Sequence, residues 1–469
     1  MEGLNGNLYT DLYQLSMGQA YFDKGQHEKE ASFDYFFRKI PFENGYVITA
    51  GLEEVLESLQ DFHFRPEELE YLSSLGFKKE YLNFLKGLRF SGDIYAVPEG
   101  SVVFPYEPVI KVVGPMVEAQ LIETMLLNQM NFQSLIATKA ARIRLVSGDR
   151  PLAEFGMRRA QGWGAMQASR AAVIGGFDST SNVLAGQKYG IPVTGTMAHS
   201  YIQSHDDELT AFRNFAETRP ENCVLLIDTY NTLRSGLPNA ITVAREMRER
   251  GQELAGIRLD SGDLAYLSKE ARKTLDNEGF SNVKIVASNQ LDEGVIKSLQ
   301  EQNAAIDIYG VGTNLVVGKP NSALDGVYKL AFADGSPRLK ISENIQKLTL
   351  PGMKQVWRYM DNNGKYLADA IALDEEEAPE LMVHPYEPDK SMSLKGKDSF
   401  RLLEQVVRKG ERISEKRSLE NIKTSAKENL SRLPVEHKRF NYPHIYKVGI
   451  SEQLLDLRQS LKNKSTAKL

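Results

Sequence analysis

Residues 256–279 read GIRLDSGDLAYLSKEARKTLDNEG, and this stretch decides the fold. A short apolar run ends at Asp260, a Ser-Gly-Asp loop follows, and helix-spaced apolar residues continue to a glycine stop at Gly279. The same order of strand, polar loop and helix recurs on both sides. Upstream, LAEFG (152–156) precedes GAMQASRAAVIGG from Gly164, a β-branched run IPVTGTMAHS starts at Ile191, and CVLLID ends at Asp228 before AITVAREMRERG. Downstream, KIVAS ends at Ser288 before DEGVIKSLQEQ, and IDIYGVGTN closes the series at Asn314. Short, nearly continuous apolar strands are expected where both faces of a sheet are covered. Strands alternating with helices mean a parallel sheet, open or closed into a barrel. About six or seven such units favour the barrel, with functional residues just after the strands' C-terminal ends.

The flanks differ. Residues 31–40 and 94–113 are strand-rich, with Pro and Gly punctuation. After Gly326, two hairpins are expected, with turns at Asp334-Gly335 and Asn363-Gly364. The tail from about residue 395 reads as helical and charged, and the final NKSTAKL as a frayed end.

Composition narrows the function classes. The 469 residues are too many for one ordinary core, so two or three domains are expected. Lys and Arg number 57 against 62 Asp and Glu, and this balance gives no general attraction to nucleic acid or anionic membrane. A polyanionic substrate would need a site built locally from a few arginines and backbone N–H groups. The single cysteine, Cys223, excludes a disulfide within the chain and argues against a cysteine-based metal site. The N-terminus has neither the basic start nor the apolar core of a signal peptide, and no apolar run has membrane-spanning length, so the expected location is the cytoplasm.

Several loops could carry chemistry. In GIRLDSGDL, Arg258 and Asp260 alternate at a strand end and can face the same way. Arg258 can grip a carboxylate or phosphate with two hydrogen bonds, and Asp260 suits ribose hydroxyls or a Mg²⁺ carried by phosphates. Ser261 and Gly262 allow close backbone approach at a helix start, although helix capping and a structural ion pair explain the same residues equally well. Gly310, Gly312 and Thr313 in GVGTN can wrap a phosphate, but an ordinary turn reads as well. His199 follows the TMA run, and its spacing to His205 lacks the pattern of a helical zinc pair. Arg158 follows the EFG strand end, Ser181 lies in a loop of capping residues, and Tyr13 would ordinarily be core.

Taken together, TDLYQLSM, FDYFFRKIPFENGYVITAGL, EFGMRRAQG, GGFDSTSNV, GTMAHSYIQ, LIDTYNTLRSG, GIRLDSGDL and GVGTN resemble the nicotinate phosphoribosyltransferase family, in its order, over residues 8 to about 330. The resemblance implies an α/β fold with an irregular (β/α) barrel of about seven parallel strands (136–325) beside an α/β sandwich (1–135). A C-terminal α+β extension (326–469) would partly complete the N-terminal domain. It implies transfer of phosphoribosyl from phosphoribosyl pyrophosphate to nicotinate, with ATP as co-substrate, Mg²⁺ as cofactor and a homodimer sharing its active sites. No nucleic-acid or membrane partner is implied. His199 matches the histidine that ATP phosphorylates, and Asp228 is the candidate to orient it. Tyr13 would stack on the pyridine ring from the neighbouring subunit, while Arg258 and Thr196 match nicotinate contacts. Arg158 would meet the nucleotide's anionic end, Asp260 the ribose hydroxyls, and Gly312 with Thr313 the 5-phosphate. Related nicotinamide enzymes carry an aspartate where this chain has Ser181 by alignment, and a carboxylate there would repel nicotinate. The rival readings are the nicotinamide enzyme, a non-catalytic nucleotide-binding barrel, and a general phosphate-binding barrel enzyme. The last would want a catalytic Lys or Glu at a strand end.

Overall fold

A computed structural model describes residues 8–341 and 349–466. The chain forms two compact units: Lys139–Ser322, and Met1–Thr138 together with Ala323–Leu469.

The first of these units holds the parallel sheet. Its strands are β1 (Leu152–Glu154), β2 (Ser179–Thr180), β3 (Val224–Leu226), β4 (Gly256–Leu259), β5 (Lys284–Ala287) and β6 (Ile308–Val311). They pair in the row β2-β1-β6-β5-β4-β3, every pair parallel. Leu225, Ile257, Leu259, Ile285, Ala287 and Val311 are all completely buried, which is why these strands read as unbroken apolar runs. Helices α1 (Gly164–Ile174), α2 (Val183–Tyr189), α3 (His199–Gln203), α4 (Glu208–Thr218), α5 (Leu237–Glu249), α6 (Leu264–Asn277), α7 (Glu293–Glu301) and the single turn α8 (Thr313–Val316) connect them. Side-chain N-caps fix several helix starts: Asn182, Asp207, Asp263 and Asp292 each accept a backbone N–H from the first turn.

Two expectations need correction. The sheet has six strands rather than about seven, and IPVTGTMAHS is not a strand. Only Val193 makes a bridge, to Thr180, through Thr180 N–H to Pro192 O at 3.0 Å and Thr194 N–H to Thr180 O at 2.9 Å. Beyond Thr194 the chain leaves the sheet and α3 starts at His199. Pro192 lacks an N–H, which limits how far a ladder could extend in that direction.

The other unit is built on antiparallel pairing. One seven-stranded row runs Ser336–Pro337, Gly326–Ala333, Glu30–Phe37, Ile110–Pro115, Asp93–Ala96, Glu404–Arg408, Glu411–Arg412. The aromatic residues Phe33, Tyr35, Phe36 and Phe37 are its core, each under a tenth exposed. A six-stranded row contains Lys354–Met360 and Tyr366–Leu373, antiparallel across the Asn363-Gly364 turn. The Asp334-Gly335 turn has positive φ at both residues (51° and 69°), the conformation that suits a two-residue hairpin and favours Asp-Gly. The tail differs from the helical reading. Short strands occupy Ser399–Arg401, Glu404–Arg408 and Glu411–Arg412 before the helices Leu419–Arg432 and Glu452–Thr466. The last helix therefore continues into NKSTAKL, whose final three residues lie outside the described residues, as do the first seven of the chain. No helix among the described residues is long and apolar enough to cross a membrane.

Candidate active site

The C-terminal ends of β1, β3 and β4, with the segment before α3, enclose a cleft of about 470 Å³. Phe155 and Arg158 line it from the turn after β1, and Ser181 from the loop after β2. Thr196 and His199 enter from the segment that left the sheet, and Arg258 and Asp260 from the end of β4. Strand alternation puts the last two on the same side, as expected from their spacing.

Hydrogen bonds lock this set. Arg258 Nη2 donates to Asp260 Oδ1 at 2.9 Å, Nη1 to Thr196 Oγ1 at 3.0 Å, and Nε to Ser288 Oγ at 2.9 Å. Its guanidinium also lies 5.6 Å from the Phe155 ring centre, a cation–π distance. Asp228 is buried, and its Oδ2 accepts from the Asp260 N–H (2.8 Å) and the Ser261 hydroxyl (2.6 Å). Its Oδ1 is buried without a hydrogen-bond partner. Gly262, at φ +76°, lets the loop turn immediately afterwards, and Asp263 caps α6.

His199 is held differently from the sequence reading. Thr229 Oγ1 lies 3.0 Å from Nδ1, while Nε2 faces two carboxylates, Asp260 Oδ2 at 3.9 Å and Asp228 Oδ1 at 4.0 Å. Asp228 therefore flanks the ring and does not orient it through a hydrogen bond, because 4.0 Å is beyond hydrogen-bond reach. The orienting contact is Thr229, which the sequence reading passed over.

The remaining expectations separate. Asp178 is turned away from the cleft, paired with Arg144 and accepting the Leu152 N–H at 2.9 Å, so Ser181 is the residue of that loop which lines the cleft. Ser261, Gly262, Gly310, Gly312 and Thr313 are not among the lining residues. Gly310 has a packing reason for its identity, since a Cβ there would sit 2.5 Å from the Phe155 ring. Gly312 precedes α8, and a Cβ on it would lie 3.1 Å from Phe155 O. Tyr13 stands on the helix Leu12–Asp23 of the other unit, about half exposed.

Two residues missed from sequence complete the frame. Ser288, at the end of β5, joins Arg258 to Asp260. Glu154, wholly buried at the end of β1, accepts from Thr180 Oγ1 (2.6 Å), Ser169 Oγ (2.9 Å) and the Gly156 N–H. It ties the turn bearing Arg158 to the loop bearing Ser181. A charged residue closing an otherwise apolar strand was the signal available for Glu154; Ser288 gave none.

An arginine fork, a flanked histidine and carboxylates at the C-terminal edge of a parallel sheet define an α/β protein with a charged cleft suited to an anionic ligand. Comparison with known proteins gives the particular family. The nicotinate phosphoribosyltransferase (NAPRTase) family model matches residues 151–376, the family's N-terminal domain residues 8–131, and its C-terminal domain residues 353–458. The chain is 46% identical to the nicotinate phosphoribosyltransferase of Bacillus subtilis, over 95% of this chain and 93% of that one. It is 38% identical to the Dictyostelium discoideum enzyme of the same name, over 98% and 89%. The crystal structure of human nicotinic acid phosphoribosyltransferase superposes with a TM-score of 0.87 at 34% identity, over 97% of this chain and 99% of that one. The chain belongs to the nicotinate phosphoribosyltransferase family.

Proposed function

We propose that this chain joins nicotinate to 5-phosphoribosyl 1-pyrophosphate, giving nicotinate mononucleotide and pyrophosphate in NAD salvage, while ATP is hydrolysed through a phosphohistidine at His199. The observation that carries this reading is the convergence of His199, Thr196, Arg258 and Asp260 on one cleft, in a chain of this family.

In this reading Arg258 and Thr196 take the nicotinate carboxylate. Three of the five guanidinium N–H groups are used by Ser288, Thr196 and Asp260, which leaves two for the ligand. Ser181 offers no negative charge to oppose it. Asp260 Oδ2 takes ribose hydroxyls, Arg158 the anionic end of the nucleotide, and Gly312 with Thr313 the 5-phosphate. As pyrophosphate departs, the glycosyl carbon gains oxocarbenium character, so the protein's contribution is charge placement and geometry.

The histidine step is a separate substitution. With its proton on Nδ1 directed at Thr229 Oγ1, the ring presents the Nε2 lone pair. Nε2 attacks the γ-phosphorus of ATP, the N–P bond forms, the bond to the bridging oxygen breaks, and ADP leaves. Water later cleaves the N–P bond and returns the free ring with phosphate.

Magnesium fits the residues present as a partner carried in by the phosphates. No group of three or more metal-ligating side chains exists among the described residues, yet Asp228 Oδ1 is buried and unpartnered, and Asp260 Oδ2 is free of hydrogen bonds in the geometry above. Asp228 and Asp260 would hold the ion, with phosphate oxygens and water completing its shell. Bound there, it would neutralise charge on the leaving pyrophosphate.

The strand order supports closure into an irregular barrel. The row β3-β4-β5-β6-β1-β2 is the chain order taken round a circle, and Val193 continues it one residue past β2. The segment bearing Thr196 and His199 then occupies the seam between β2 and β3. An α/β sandwich domain, a homodimer in which Tyr13 reaches the neighbouring subunit's site, and a cytoplasmic location complete the proposal.

The test is a coupled assay on wild type and His199→Ala with nicotinate, phosphoribosyl pyrophosphate and Mg²⁺, with and without ATP. Mononucleotide formation stimulated by ATP, with ATP hydrolysis lost in the variant, is the expected result. Product from nicotinamide alone would move the assignment to the amide, and no product from either base would refute it.

A further inference from the structure

We infer that Ser288 is a positioning residue for the transfer. Its hydroxyl makes the Arg258 guanidinium and the Asp260 carboxylate one rigid unit, and so sets the spacing between the group that grips the base and the group that takes the ribose. The inference rests on the activity proposed above and concerns how its two binding halves are kept in register.

The geometry is specific. Ser288 directly follows the last residue of β5 and is 3% exposed. Its backbone N–H donates to Leu259 O at 2.9 Å, so its Cα is pinned to β4 at the residue between Arg258 and Asp260. Its Oγ accepts from Arg258 Nε at 2.9 Å and sits in hydrogen-bond contact with Asp260 Oδ1. A hydroxyl has one proton, and a carboxylate oxygen is the stronger acceptor, so that proton goes to Asp260. Arg258 Nη2 donates to the same Oδ1, which closes a three-membered ring of guanidinium, hydroxyl and carboxylate.

The ring decides what is left for ligands. Both of its contacts fall on Oδ1 of Asp260, so Oδ2 is the oxygen that faces His199 Nε2, at 3.9 Å. Because the hydroxyl takes Nε, the guanidinium meets Asp260 through Nη2 alone, and its outer edge stays turned to Thr196 and the cleft. Remove the hydroxyl and Arg258 Nε loses its acceptor on a side chain that is only 15% exposed. The nearest replacement is Asp260, and a guanidinium satisfying both Nε and Nη2 on one carboxylate forms a closed bidentate pair. That pair turns the fork inward and engages Oδ2. Nicotinate and the ribose would both lose their partner from one change at a residue that touches neither.

A residue important only for folding would lower stability without this signature. The experiment compares wild type, Ser288→Ala and Ser288→Thr by steady-state kinetics, by thermal melting, and by the rate at which phenylglyoxal labels Arg258, read by peptide mass. The alanine variant is expected to raise the KM for nicotinate and for phosphoribosyl pyrophosphate together, with kcat falling less. Its kcat/KM should drop roughly 10- to 100-fold, the worth of a hydrogen bond to a charged group. Labelling of Arg258 should slow as the fork closes. Threonine, which keeps the hydroxyl, should restore both. An alanine variant with unchanged KM values and labelling, whatever its melting temperature, overturns the inference. So does one in which only one substrate's KM moves. If wild type turns over no nicotinate, the activity reading fails, while the labelling comparison still decides the role of Ser288.

Discussion

Replacing Glu154 with leucine tests the frame under the cleft. Glu154 is wholly buried and accepts from the Thr180 hydroxyl, the Ser169 hydroxyl and the Gly156 N–H. Leucine has similar bulk but accepts nothing. Ser169 retains a second acceptor, Ala165 O at 3.0 Å, while the Gly156 N–H is orphaned and the Thr180 hydroxyl keeps only a long contact to Ser169 Oγ at 3.4 Å. Each of these two losses costs about 1–3 kcal/mol, and the apolar side chain returns part of that, which leaves a net loss of about 2–4 kcal/mol. For a unit of this size each kcal/mol shifts the midpoint by roughly 2–4 °C, so scanning calorimetry should show a fall of about 5–15 °C. Glu154→Gln discriminates. Its carbonyl can serve Gly156 while its amide donates to the two hydroxyls, so only charge assistance is lost and the fall should be about 2–4 °C. If leucine and glutamine variants melt alike, close to wild type, the clamp reasoning is wrong.

Other outcomes follow from single contacts. Gly236→Ala would put a Cβ 1.8 Å from Ile227 O, a backbone atom that cannot yield, so the variant should fail to accumulate as soluble protein; a soluble, active variant would show that the turn after β3 has more room than this. Ser181→Asp places a carboxylate in the cleft that holds Arg258, so kcat/KM for nicotinate should fall at least about tenfold in steady-state assays, and an unchanged value would remove Ser181 from the specificity argument. Burial pushes the Cys223 thiol up to about 12, so at pH 8 the folded protein holds almost no thiolate there. Iodoacetamide should label it only in denaturant, and rapid labelling of the native protein would contradict its burial.

Much of the fold was legible because local rules governed it. The runs CVLLID, GIRLD and KIVAS contain strands since apolar residues covered on both faces need no alternation. Asp263 and Asp292 announce helix starts because a short carboxylate side chain reaches the first-turn N–H groups. IPVTGTMAHS misled because β-branched composition describes a pleated surface and does not supply a neighbouring strand to pair with. The charged tail misled for the opposite reason, since Glu404–Arg408 is a short strand with charged ends fixed by pairing with Asp93–Ala96, over three hundred residues away in sequence. In the site, Arg258 and Asp260 stand at the end of β4, where sequence rhythm points, and His199 opens α3. Thr229 and Ser288 do not stand out, because their partners lie about thirty residues away in the chain and only the folded sheet brings them together.

The segment that leaves the sheet after Thr194 is fastened at two places: by Val193 against Thr180, and by the side chains of Thr196 and His199 against Arg258 and Thr229. Thr196 and His199 are three residues apart on one unladdered stretch. Any ligand that draws an Arg258 N–H away from Thr196 therefore loosens one of the two side-chain ties that present the imidazole, and any group attached to the imidazole alters the tie at Arg258. Under the proposed assignment, occupancy of the base subsite and the state of His199 would be thermodynamically linked, and linkage runs equally in both directions. If His199 carries the phosphoryl group and Arg258 the acid, as proposed, each changes the other's affinity by the same factor, and the proposed coupling of the nucleotide reaction to the transfer reaction runs through the short stretch from Thr196 to His199.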